Sequence, residues 1–257
     1  MLLLISPAKT LDFDTPAHVA DYTSPKYAAR SAELIELLRR KSAREIGELM
    51  DLSDTLSTLN VDRYAAWRRR NTASNSKQAV LAFDGDVYEG LDARSLDAAD
   101  LQWAQEHLAI LSGLYGLLRP LDRIQPYRLE MGTRLRNERG ASLYDYWGAT
   151  IARDVNARLK GAANPVVVNL ASDEYFSAVD RKALHSRVVE CVFQDWKTDR
   201  YKVISFFAKR ARGLMARYAI THRVRTPSAL RAFNAEGYAF DPLDSTEERM
   251  VFRRRIE

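Results

Sequence analysis

The sequence predicts one α/β domain spanning residues 1–257, a mixed sheet flanked by helices. Three observations predict it. Short β-rich runs, most of them apolar throughout and bounded by turn or polar residues, recur along the chain, as expected of strands covered on both faces. Segments with helical periodicity lie between them, which favours helices packed on a sheet. The 257 residues contain no internal repeat, low-complexity tract or long linker, and a chain of this length can bury a sizeable core.

The elements follow in order. Leu2–Ile5 is read as a buried first strand. The apolar run from Met1 is too short for a secretory leader, and no basic segment precedes it. Helices are expected at 26–40 and 43–50, joined at Lys41-Ser42, with Ser42-Ala43-Arg44-Glu45 fitting a capping box. This pair has the outline of a helix-hairpin-helix element, whose connecting amides approach DNA phosphates, and Arg39, Arg40, Lys41 and Arg44 surround the connection. The usual hairpin glycines are missing, and the residues by themselves favour an ordinary surface hairpin. A strand is expected at 79–83 and a helix at 97–108. The stretch Leu111 to Gly132 follows, where Arg119, Arg123 and Arg128 either line a groove or pair with Asp122 and Glu130. A helix is expected at 142–159 and a strand at 166–170. The next helix, 173–179, has Ser172 as hydroxyl cap and Asp173 and Glu174 at its positive end. Strands are expected at 188–193 and 201–206, then helices at 208–220 and 227–233, the last opened by Thr226-Pro227.

The formal net charge is +5, a weak pointer to a polyanionic partner. Its distribution says more. Residues 71–110 carry two basic and seven acidic groups, whereas 197–225 carry nine basic groups and one acid. On the helix beginning near 207, Phe207, Ala211, Leu214, Met215 and Tyr218 share one arc, and Lys209, Arg210, Arg212 and Arg217 fall opposite. That stripe can contact phosphates or pair with acids elsewhere; both readings stand. No apolar run approaches the ~20 residues that span a bilayer. The single cysteine, Cys191, cannot form an internal disulfide, and a cytoplasmic setting fits.

Chemistry is sparsely signalled. Lys9, in the turn after the first strand, could bind phosphate or act as an amine nucleophile. Asp173 and Glu174 could serve acid–base work or simply cap a helix. The four histidines are scattered, so no metal site and no cofactor are expected. No Gly-x-Ser-x-Gly or Gly-x-Gly-x-x-Gly motif occurs.

Taken together, several segments resemble the motifs of the YaaA family: Ser6 to Thr10, Ala82 to Leu91, Leu111 to Gly132, Val168 to Tyr175, Phe206 to Met215 and Phe233 to Tyr238. The resemblance implies a bacterial DNA-binding protein of the hydrogen peroxide response that protects DNA and limits harm from free iron. It implies an α/β fold with a helix-hairpin-helix element and a basic cleft. It implies double-stranded or damaged DNA as partner, with no membrane and no obligate protein partner. Arg39, Arg40, Lys41, Arg44, Arg119, Arg128, Lys209, Arg210, Arg212 and Arg217 are the expected DNA contacts. The alternative is an enzyme acting on nucleic acid or a nucleotide, for example a lyase using Lys9 with Asp173 and Glu174 nearby.

Overall fold

In the computed structural model, which describes residues 1–255, an eight-stranded mixed sheet is flanked by helices. Its strands are β1 (Leu2–Ile5), β2 (Leu108–Ser112), β3 (Gly116–Leu118), β4 (Val166–Leu170), β5 (Arg187–Lys197), β6 (Arg200–Lys202), β7 (Ala239–Asp241) and β8 (Arg249–Arg254). The order is β7-β8-β5-β4-β1-β2-β3, with β6 added to β5. Strands β8, β5, β4, β1 and β2 run parallel, and β3, β6 and β7 pair antiparallel at the margins. Every residue of β1, β2 and β4 is buried, as two-sided cover requires. Each Leu or Ile so buried contributes roughly 1.5–3 kcal/mol.

The helices used below are α1 (Ala28–Arg39), α2 (Ala43–Met50), α3 (Asp54–Ala66), α4 (Asp86–Leu91), α5 (Ala98–His107), α6 (Leu143–Trp147), α7 (Thr150–Arg158) and α8 (Ser205–Thr221). The Ser42 capping box forms: Ser42 N donates to Glu45 Oε2 at 2.8 Å and Glu45 N to Ser42 Oγ at 3.3 Å.

Several expectations need correction. Residues 79–83 are not a strand. Ala79–Ala82 make one buried helical turn, and Phe83–Asp84 pair with Thr10–Leu11. An apolar run this short has no periodicity to separate the two states. Strand 201–206 stops at Lys202, and α8 already begins at Ser205. The helix expected at 142–159 breaks into α6 and α7 at Gly148, whose φ is +46°. Ser172 does not cap the turn Asp173–Phe176, because its hydroxyl and amide are both engaged with Ser6. Thr226 likewise makes no side-chain cap, although Pro227 opens its helix as expected. The pairing expected between the helices at 26–40 and 43–50 does not form. Helix α2 packs chiefly against α3 rather than α1, through Asp51-Leu52-Ser53, where Asp51 is left-handed (φ 52°) and Leu52 N donates to Gly47 O at 3.0 Å.

Helices α4 and α8 cross backbone to backbone. A Cβ on Gly213 would overlap the Val87 carbonyl oxygen, and one on Gly90 would overlap the Arg210 carbonyl oxygen. Glycine is required at both points by space. Gly213→Ala should therefore lower stability by about 3 kcal/mol, the upper part of the overpacking range, read as a reduced urea midpoint. An unchanged midpoint would show that the helices separate freely. Ser42→Ala, losing only a cap, should cost about 1 kcal/mol in the same assay.

Candidate functional site

From β1 the chain leaves toward β2, and from β4 it leaves toward β5, on the opposite side. The crevice outside the carboxyl ends of β1 and β4 is thus a topological switch point, where open α/β sheets place their ligands. A cleft of about 450 Å³ lies there. Its floor is a serine pair: Ser172 N donates to Ser6 Oγ at 2.9 Å, and Ser6 Oγ donates to Ser172 Oγ at 3.3 Å. Tyr88 Oη, from α4, donates to the Ser6 carbonyl at 3.1 Å. Burial pushes the Tyr88 phenol well above its ordinary range, which keeps it a neutral donor.

Lys9, Glu174, Lys209 and Arg212 all line this cleft. Lys9 Nζ is 2.7 Å from Glu130 Oε2, with 63% of its side chain exposed. Arg128 does not line the cleft but grips the other oxygen of Glu130 at 3.1 Å. Glu174 Oε1 accepts from Gly132 N at 2.9 Å, a structural engagement of a residue read as a catalytic acid. Lys209 stands 3.8 Å from Asp86. Asp173 lines the neighbouring hollow beside Tyr144 and Phe176 instead, and from there it acts electrostatically on Arg212.

Arg212 differs from the other cations. Among the described residues it makes no ion pair, and its buried Nε has no acceptor. Burial holds the guanidinium below its ordinary value, and Asp173 and Glu190 offset that only in part. Desolvating a cation without a counter-charge costs free energy. Its expected place on a solvated face is corrected: Gly213 and Ala216 are buried beside it, so α8 is enclosed on a wider arc than Phe207, Ala211, Leu214, Met215 and Tyr218.

The rest of the basic stripe is paired. Arg210 reaches Glu236 at 2.6 Å and Glu89 at 3.9 Å. Arg217 reaches Asp92 at 3.6 Å, and Arg223 reaches Asp100 at 2.7 Å. Asp86, Glu89, Asp92 and Asp100 of the acidic segment thus pair with Lys209, Arg210, Arg217 and Arg223 of the basic one. Outside the cleft, Arg39 donates to the carbonyls of Tyr64 and Trp67 and to Glu36. Arg44 pairs with Glu48, and Arg119 with Asp122. Arg40 and Lys41 make no ion pair among the described residues.

The serine floor had no signal in the sequence, and two exposed cations, Arg134 and Arg136, were not singled out; they also make no ion pair among the described residues. They alternate with buried Thr133 and Leu135, beginning two residues past Gly132. That period-2 pattern was the available signal. Among the described residues no three His, Cys, Asp or Glu side chains cluster as metal ligands, and no helix is long and apolar enough to cross a membrane.

If Arg212 is held for an anion, removing its charge should not harm the fold. Arg212→Met should leave the urea midpoint unchanged or raise stability by about 1 kcal/mol. A clear loss of stability would make Arg212 a structural residue instead.

The comparisons with known proteins bear on the whole chain. The family described as "Peroxide stress protein YaaA" matches residues 1–243. A UPF0246 protein of Bordetella avium is 60% identical over 257 residues, covering 100% of both chains. A UPF0246 protein of Paracidovorax citrulli is 62% identical over 256 residues, covering 99% of each. One of Bordetella petrii is 61% identical over 255 residues, covering 99% of this chain and 100% of its own. With a match from the first strand through the last turns, and relatives alike from end to end, the chain belongs to the YaaA family of peroxide stress proteins.

Proposed function

We propose that this protein binds DNA through backbone phosphates, in a peroxide-stress role that its family description suggests, with the switch-point cleft as the principal contact. The observation that carries this reading is Arg212, a half-buried guanidinium without an ion-pair partner in a cleft that Lys9 and Lys209 also line. A phosphate oxygen would supply the counter-charge and accept the buried Nε–H, and a guanidinium fork matches phosphate geometry. Three of the four carboxylates that line the cleft are engaged away from Arg212: Glu130 is held by Lys9 and Arg128, Asp86 by Lys209, and Glu174 by a backbone amide, while Asp84 forms no ion pair with Arg212. Arg134 and Arg136, exposed and without ion pairs among the described residues, offer further phosphate contacts. Arg40 and Lys41, before α2, offer a further contact at the helical layer. These contacts touch no base edge, so binding is sequence-tolerant.

Lys9 serves in this reading as a charge. Its ion pair with Glu130 and its exposure support a phosphate-binding ammonium more than a Schiff-base nucleophile, which must be an unprotonated amine.

Affinity for a short duplex should fall steeply with salt, each neutralised phosphate adding about 0.9 to the log–log slope. Replacing Lys209 and Arg212 together by Ala should flatten that slope by roughly 2 and weaken all sequences alike. Wild-type affinity and slope in the double variant would remove the cleft from the interface. Borohydride reduction over an abasic-site duplex should trap no covalent adduct; an adduct lost in Lys9→Ala would instead establish lyase chemistry.

A further inference from the structure

A second concavity, of about 710 Å³, lies between α3, the loop at 13–19 and the segments 73–78 and 123–126, which pair antiparallel at Lys77–Gln78 and Arg123–Ile124. It shares no wall residue with the switch-point cleft. Its size is that of a small-molecule site. Phe13 and Trp67 supply aromatic wall, and Val19 and Leu59 aliphatic wall. Three cations face it, and they are not equivalent. Lys77 is spent on Asp12, 3.6 Å from its carboxylate and 2.8 Å from its carbonyl oxygen. Arg63 and Arg123 make no ion pair among the described residues. Arg63 has only a 3.4 Å contact to Asn60 Oδ1, and burial, with the like charge of Arg128 adding to it, depresses its guanidinium. Arg123 is stacked 4.2 Å over the Tyr22 ring, and its buried Nε has no acceptor. The one carboxylate in the wall, Asp62, is exposed and pairs with neither arginine.

We propose that this pocket is a binding site for a small organic anion, a flat aromatic ring carrying a carboxylate or a phosphate, with the ring against Phe13 and Trp67 and the anion between Arg63 and Arg123. The class follows from the walls. Apolar and aromatic surface binds a planar apolar body, and two half-buried guanidinium forks without acids select an oxyanion. A neutral ring would leave both arginines unpaired, and an inorganic anion would leave the apolar wall wet. The site is independent of the DNA reading, because the two concavities share no residue.

Two probes separate the sources of the anion: naphthalene-2-carboxylate and adenosine 5′-monophosphate, each titrated calorimetrically into the full chain beside its neutral counterpart, 2-naphthylmethanol or adenosine. At least one anion should bind with one-to-one saturation, and its neutral counterpart about tenfold or more weakly, the loss of one charge-assisted contact. Arg63→Gln and Arg123→Gln should each weaken that anion by about tenfold while keeping the wild-type thermal midpoint, since neither side chain holds an ion pair. Saturation by the carboxylate alone assigns a carboxylate ligand, and saturation by the nucleotide alone a phosphate ligand. No saturation by either anion up to millimolar concentration would overturn the proposal. So would undiminished binding in both variants, or equal binding of charged and neutral forms.

Discussion

The site depends on two glycines. Gly90 in α4 and Gly213 in α8 let the helices meet main chain to main chain, closer than any side chain permits. That contact fixes the height of α8 over the sheet. It places Lys209 beside Asp86 and turns Arg212 toward the crevice that β1 and β4 open at their carboxyl ends. The flanking ion pairs, Arg210 with Glu89 and Arg217 with Asp92, lie one turn to either side of the crossing and fix its rotation. Exposed pairs of this kind are individually weak, about 0–1 kcal/mol. Their part is orientation, and the close packing supplies the adhesion.

The amino end of α8 is tied a second time, to the far side of the sheet. Arg254 Nε donates to Asp195 Oδ1 at 2.7 Å, and Tyr238 Oη donates to Asp195 Oδ2 at 2.9 Å. Both charged side chains are almost fully buried, 6% and 5% exposed. Glu236 continues the chain from Arg254 to Arg210, and the Arg254 guanidinium lies 4.9 Å from the Phe207 ring. A buried pair pays a large desolvation cost, and its net gain over an apolar pair is small. Breaking it strands a charge, however, so it holds register. Arg254 faces Asp195 only when β8 and β5 pair as observed, Arg254 opposite Asp195. The sheet margin, the start of α8 and the cleft are thereby one mechanical unit.

Strands β1 and β4 were legible because each is an all-apolar run between turn residues. Strand β2 was not: Leu108 to Leu111 follow α5 with no glycine or proline between, so the start of a strand at the heart of the sheet reads as helix end. Helix α3 was hidden for the opposite reason. Its buried face is Ser57, Asn60 and Tyr64, and Ser57 and Asn60 are satisfied by carbonyls of their own helix, so apolar periodicity is absent. Of the residues that line the cleft, Lys9, Glu174, Lys209 and Arg212 stood out in the sequence because strand-end loops and a basic helix carry local signals. What escaped was pairing at a distance. The acidic and basic segments look in sequence like separate fields, yet Glu89, Asp92 and Asp100 cancel Arg210, Arg217 and Arg223 across more than a hundred residues. Within the stripe Lys209, Arg210, Arg212 and Arg217, only the folded arrangement singles out Arg212 as the cation without an ion pair among the described residues.

In the proposed reading, Arg212 is kept half-buried and without an ion pair so that a DNA phosphate can complete it. A crystal structure of the protein with a short duplex tests this most directly. A phosphate oxygen should lie about 2.7–2.9 Å from the Arg212 guanidinium, with Lys9 and Lys209 beside the same strand. A duplex seated only on the α2–α3 face, with Arg212 touching no phosphate, would contradict it.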